Sequence, residues 1–460
     1  MRRILFFAAV ACLAVPAVAG DAHTAAALRD RALADSTAWN VLESLTTEIG
    51  PRPAGSPAAQ RARDWALAKL RALGFANVHA EPFAKPSWGR GEEWAQVVRP
   101  YPQPLAVIGL GGSVSTPPRG IEADIVVLKS YAAVLAAPAH AFKGKIVVVN
   151  QPMKRTRDVS GYSAAVVARF GVSEAAKRGA VAYLVRSIST GNTREPHTGA
   201  TDYAPNTPKI PAAALGVPDA DLLERMAARG PVRLRLKLAS FLRPTSTAWN
   251  VSGEIAGSAR PDQVIVIGGH LDSWDPGTGA IDDGAGVAIT TAAARLIGQL
   301  PRHPRRTIRV VLWGSEETGG SGSAYLTAHK GELAKIVAAA ESDLGADRVY
   351  RLELPQDALR RRALKPQARL LAPLKVLVSR NAPKHAGSDV EGLQKAGVPV
   401  FALDQDASRY FDIHHSADDT LAVVDRAQLG QNVAAWAALL YLLADSDVDF
   451  RAKPAHKSVP

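Results

Sequence analysis

From residue 263 onward, short apolar runs alternate with segments whose apolar positions recur every three to four residues. The runs 264–268, 307–313, 336–340, 375–378 and 398–403 read as strands, and 286–300, 323–329, 391–396 and 427–444 as helices. This alternation predicts an α/β fold, a mostly parallel sheet sandwiched by helices. Val264-Ile265-Val266-Ile267 and Val310-Val311-Leu312 are apolar at every position, which suits strands covered on both faces. Nearer the start, 35–45 and 57–73 carry helical spacing. Ser56-Pro57 supplies a cap and a first-turn proline, and Gly74 ends the second helix before an extended run.

Between these stretches the pattern breaks. Pro100, Pro102, Pro104, Pro117 and Pro118 interrupt the chain, and β-rich runs follow at 121–128, 145–149, 180–185 and 233–238. A helix at 171–178 and a long loop at 187–209 complete a smaller β-rich α+β domain, expected at 101–244 and inserted into an α/β domain made of 20–100 and 245–460. Residues 1–19 follow a third pattern. Met1-Arg2-Arg3 is positive, 4–15 is apolar but too short to span a bilayer, and Ala17-Val18-Ala19 suits cleavage after Ala19. An exported protein is expected, periplasmic or extracellular. No later run is apolar for long enough to form a membrane helix, so no stable membrane insertion is expected.

The single cysteine, Cys12, falls inside that leader, so a processed chain holds no thiol and any metal must be bound through nitrogen and oxygen. Cys12, preceded by Val10-Ala11, is alternatively a lipid-attachment site. The formal charge of +12 falls to +10 once Arg2 and Arg3 leave. The basic residues are scattered, with small clusters at 302–306 and 360–362 and no interleaved aromatics, so no nucleic-acid partner is expected.

In an open parallel sheet, ligands bind beyond the carboxyl ends of the strands. Three expected strands are followed there by Gly269-His270-Leu271-Asp272, Gly314-Ser315-Glu316-Glu317 and Glu341-Ser342-Asp343. A glycine-flanked acidic turn, Gly279-Ala280-Ile281-Asp282-Asp283-Gly284, opens the helix at 286–300, and His414-His415 precedes the last helix. Each group alone has a bland reading: a satisfied buried histidine, a helix cap, a solvated surface pair, a loop. Together they form a set of imidazoles and carboxylates suited to zinc, with carboxylates able to bridge two ions about 3.5–4 Å apart. Cobalt or manganese suits such donors too.

At these residues the chain resembles the co-catalytic zinc aminopeptidase and carboxypeptidase superfamily, and its carboxypeptidase Q branch in particular. The likeness is carried by His270-Leu271-Asp272-Ser273-Trp274-Asp275, Ala280-Ile281-Asp282-Asp283-Gly284, Val311-Leu312-Trp313, Glu316-Glu317 with Gly319-Gly320, Glu341-Ser342-Asp343 and residues 411–420. It implies two Zn2+ per chain, bridged by Asp282, with His270 and Asp343 on one and Glu317 and His415 on the other. Glu316 becomes the general base, Asp272 the orienting partner of His270, and the peptide after Asp282 is expected to be cis. Ser388, Asp389, Tyr410 and His414 match positions near the substrate cleft, where His385 and His414 either hydrogen-bond a reaction intermediate or pack. The inserted domain becomes one of the protease-associated type, and a homodimer is implied. The activity implied is that of an exopeptidase on dipeptides or short peptides. A broad aminopeptidase and a catalytically inactive peptide-binding or receptor-like relative are the alternatives. The Arg-rich stretch 344–365 departs from the branch's pattern.

Overall fold

The computed structural model describes residues 21–355, 366–446 and 448–451. The expected leader with Cys12 and the segment 356–365 lie outside the described residues. Ser56 does cap a helix: its Oγ accepts from the amide of Ala59 at 3.1 Å, and Pro57 opens Pro57–Ala72. The chain then turns into β1 (Ala76–Ala84).

The inserted sheet follows. It is built from β2 (Ser87–Arg99), β3 (Gln103–Leu105), β4 (Val107–Gly109), β5 (Ile121–Leu128), β6 (Ile146–Val149), β7 (Ala182–Arg186), β8 (Ala212–Leu215) and β9 (Arg233–Arg243). Their order is β3-β2-β9-β5-β6-β7-β8-β4, with β5, β6, β7 and β8 parallel. This sheet begins earlier than the expected boundary at residue 101, because β2 pairs antiparallel with β9 from Ser87↔Arg243 onward. The glycines and charges of Gly89-Arg90-Gly91-Glu92-Glu93 hide that strand from a hydrophobicity reading.

The chain re-enters the first domain through β10 (Thr247–Ile255), β11 (Arg260–His270), β12 (Arg306–Trp313) and β13 (Ile336–Glu341). With β1 they form a five-stranded sheet ordered β1-β10-β12-β11-β13. The central pairs β11/β12 and β11/β13 are parallel, while β1 and β10 add an antiparallel flank. Alternate residues face opposite layers. Ile265, Ile267, Val310 and Leu312 share a core with the helices Ala285–Gly298 and Arg426–Asp445, whereas Val264, Val266, Val311 and Trp313 share one with the helices Ser321–Ala328 and Glu391–Lys395. The apolar runs are thus explained by helices on both faces.

Past β13 the chain adds β14 (Val349–Glu353), β15 (Leu377–Val378) and β16 (Ala402–Gln405), a small sheet ordered β15-β14-β16. The run expected as one strand at 398–403 is divided. Val400 bridges Ala339 of β13, and residues from Ala402 pair with β14. No helix of the described residues is long and apolar enough to cross a membrane.

Candidate metal centre

Parallel register creates the rim. His270 lies opposite Trp313, and Gly268 opposite Glu341, so β11, β12 and β13 end at one level. His270 is the last residue of β11 and is 1% exposed. Its Nδ1 lies 3.0 Å from the backbone carbonyl of Asp272, a contact that requires Nδ1–H and leaves the Nε2 lone pair free. The Asp272 carboxylate stands 3.6 Å from the same nitrogen, too far for a hydrogen bond, and instead accepts from the amide of Glu316 at 3.0 Å. Asp272 therefore ties the β11 end to the β12 end. The expected orienting role falls on its main-chain oxygen.

The acidic turn divides its two carboxylates between two jobs. Asp283 accepts from the amides of His270 and Gly286, each at 2.9 Å, so it caps the helix Ala285–Gly298 and pins β11 to it. Gly269 and Gly286 leave room for that carboxylate, since a Cβ at either position would overlap it. Asp282, joined to Asp283 by a cis peptide, turns the other way. Its Oδ1 is 3.0 Å from His270 Nε2, and its Oδ2 is 3.0 Å from His415 Nε2. Two residues to which the sequence reading gave no role hold the turn. Asp419 accepts from the amides of Ala280 and Ile281 at 2.8 and 2.7 Å, and the fully buried Arg52 donates to the carbonyls of Gly50, Leu271, Thr278 and Gly279. Asp419 had a visible signal in its closeness to His415; Arg52, in a Gly-Pro-Arg-Pro run, had none.

Asp343 brings Oδ1 to 3.4 Å from His270 Nε2, and Glu317 brings Oε2 to 3.0 Å from His415 Nε2. His415 sits at φ 61°, a left-handed conformation that costs a histidine about 1–2 kcal/mol. The loop between β7 and β8 holds it there. The amide of Thr198 donates to the His415 carbonyl at 3.0 Å, and the Thr198 carbonyl lies 3.3 Å from His415 Nδ1. His197 Nδ1 donates to the His414 carbonyl at 2.6 Å.

Two donor groups thus share Asp282, one made of His270 and Asp343 and the other of Glu317 and His415. Ligands bonded at about 2.0–2.2 Å to a tetrahedral zinc stand roughly 3.3 Å apart, and the nitrogen-to-oxygen separations of 3.0 to 3.4 Å match that spacing. The buried oxygens Asp272 Oδ2 and Glu317 Oε1 accept no hydrogen bond among the described residues. The donors fit zinc.

Burial and mutual charge shift the titration of these crowded groups. Burial pushes Glu317 up to about 7, with Asp282 adding to it against His415. Glu316 is raised well above the carboxylate range by burial and by Asp343. Burial works against the charged form of His270, but the carboxylates of Asp343, Asp272 and Asp282 outweigh it and raise the imidazole well above its usual value. His415 is raised to about 9 on the same balance, through Glu317 and Asp282. Cations among these groups would release their protons.

The other expected residues divide. His414 stacks on His415 with ring centroids 3.5 Å apart and places Nε2 3.5 Å from Asp282 Oδ2. Tyr410 is buried with its ring 5.1 Å from that of His414. Asp389 is buried behind the centre, accepting from Ser321 Oγ and donating its amide to Glu341 at 2.9 Å. Ser388 and His385 are exposed, and neither side chain is brought into the two donor groups.

Carboxypeptidase Q of Bos taurus is 39% identical over 415 residues, spanning 90% of this chain and 86% of the relative, and the sequence profile of Peptidase family M28 matches residues 250–440. The chain belongs to peptidase family M28. Among its M28 relatives, human carboxypeptidase Q is 37% identical over 417 residues, 90% of this chain and 86% of the relative. The crystal structure of a peptidase M28 precursor from Shewanella amazonensis superimposes with a TM-score of 0.91 at 42% identity, covering 94% of this chain and 98% of that one. A zinc aminopeptidase from Bacillus subtilis shares the fold at a TM-score of 0.64 and 19% identity, covering 88% of this chain and 94% of that one.

Proposed function

We propose that this M28 metallopeptidase is an exported exopeptidase that hydrolyses dipeptides or short peptides at a centre of two zinc ions. His270 and Asp343 hold one ion, Glu317 and His415 the other, and Asp282 both. The observation that carries the reading is the position of Asp282, whose two oxygens face separate nitrogen and oxygen donors. Zinc at such a centre supplies a Lewis acid for the peptide carbonyl and a water acidified to about neutral. Glu316, its amide held by Asp272, accepts the proton from that water and passes it to the leaving nitrogen. The carboxypeptidase Q relatives favour a dipeptidase, and the inserted sheet, expected to be of the protease-associated type, forms one side of the His415 loop.

Glu316→Ala tests the assignment. Turnover of an unblocked dipeptide such as Ser-Met should fall by roughly 10²–10⁴-fold, while elemental analysis still finds two zincs per chain. Loss of metal together with activity would make Glu316 a ligand. A clear preference for leucine p-nitroanilide over Ser-Met would favour a broad aminopeptidase instead.

A further inference from the structure

Arg169 of the inserted domain is 3% exposed. Its guanidinium donates to the Thr198 carbonyl at 3.4 Å and to the phenol oxygen of Tyr162, and its Nε–H finds no acceptor among the described residues. No carboxylate pairs with it there. A desolvated cation without an anion is costly, and such an arrangement is expected where a ligand supplies the missing charge. Gly199 accommodates it, since a Cβ at that position would overlap the guanidinium.

Tyr162 stands between this cation and the metal centre. Its ring stacks on Phe411 at 4.9 Å and meets His414 edge-on at 5.2 Å, and His414 in turn lies 3.5 Å from Asp282 Oδ2. A phenol whose oxygen accepts from a guanidinium directs its own O–H elsewhere. Among the described residues no acceptor takes that proton, and the side chain is half-buried. Burial, with Glu317 and Glu316 adding against Arg169, raises the hydroxyl to about 12, so it remains a donor at neutral pH.

The carboxylates and imidazoles of the centre are committed to the proposed ions, which leaves an anionic end of a substrate to be met by other groups. We propose that Tyr162, backed by Arg169, binds the free α-carboxylate of the peptide substrate, so that the inserted domain reads the carboxyl end. Tyr162 touches substrate in this reading; Arg169 is a positioning residue that orients the phenol and supplies the balancing charge. The inference rests on the peptidase reading above and assigns the end of the peptide that it left open.

The test compares Ser-Met with its carboxyl-terminal amide, in the zinc-loaded wild type and in Tyr162→Phe, which removes only the hydroxyl. The wild type should prefer the free acid by about tenfold or more in kcat/KM, the scale of one hydrogen bond to a charged group. In Tyr162→Phe the KM for Ser-Met should rise about tenfold and the preference should collapse toward one. Arg169→Met should collapse it in the same way, with circular dichroism and melting temperature reporting whether that buried position tolerates the change. A preference that survives Tyr162→Phe, or a wild type indifferent to amidation, overturns the proposal. A fall in kcat alone with the preference intact also overturns it, by placing the phenol on the scissile carbonyl. Hydrolysis of the amide by the wild type keeps the peptidase reading standing in each of those cases. Failure to cleave either peptide sinks both.

Discussion

The two histidines of the centre use one device, obtained from different places. Each presents Nε2 toward Asp282 and places Nδ1 against a backbone carbonyl. For His270 the carbonyl belongs to Asp272, two residues along the same strand end. For His415 it belongs to Thr198, in the loop between β7 and β8 more than two hundred residues away. The first half of the site is therefore fixed by the register of one sheet and the helix Asp283 caps. The second is a left-handed loop residue whose orientation is borrowed from the β7–β8 loop of the eight-stranded sheet. An insertion that looks peripheral in the chain is thus part of how the loop-side donors are aimed.

Breaking the first half should cost most. Asp283→Ala would leave the amides of His270 and Gly286 without acceptors in a buried place, each costing about 1–3 kcal/mol. A loss of about 3 kcal/mol in urea unfolding is expected. Unchanged stability would mean that β11 is not held through this carboxylate. Breaking the second half should be gentler and more selective. His197→Ala removes the donor to the His414 carbonyl, and outer partners of this kind are worth about 10–100-fold in metal affinity. If the centre holds the two proposed zincs, chelator competition should show the one at His415 leaving about tenfold more readily while the other is unaffected. Equal weakening of both ions would dissolve the distinction between the halves.

The first half was legible because it depends on period and position. Apolar runs located β11, β12 and β13, and the residues directly after them fell on the rim, since parallel strands end together. The acidic turn was legible too, though the cap falls on Asp283 while Asp282 is the carboxylate that faces the other donors. What escaped was everything held by tertiary contact. β2 is masked by glycines and charges and identified only by its pairing with β9. Arg52 acts through a side chain reaching carbonyls more than two hundred residues away. His197 and Thr198 lie in a polar loop with no periodic signal, and their role exists only because that loop meets residues 414–415. Ser388 shows the converse: a motif match places a residue near the cleft without deciding that its side chain faces the ions.

The smallest effect sharpens the comparison through pH in the metal-free protein. Burial raises Glu317, Asp389 and Asp419 to about 7 in the folded chain. A carboxyl whose folded pKa exceeds its unfolded one binds more protons when folded, so its contribution is present below about pH 4 and is lost as pH rises toward 7. His415, raised to about 9, adds a loss between about 6.5 and 9. His414, lowered well below its usual value by burial and by His415, and His197, lowered to about 4 mainly by burial, work the other way below about pH 6.5, but they are two groups against several. Stripped protein should therefore melt lower at pH 8 than at pH 5, by roughly 2–4 °C for each kcal/mol lost. Zinc should reverse the order, because its ligands bind it deprotonated and its hold tightens as pH rises. If His415 is aimed from the loop that carries His197, His197→Ala should flatten the upper part of that slope, above pH 6.5, and steepen the part below it, because His197, lowered to about 4 mainly by burial, no longer offsets the carboxyls there. A variant whose slope above pH 6.5 is unchanged would show that the loop is held by the five-stranded sheet after all.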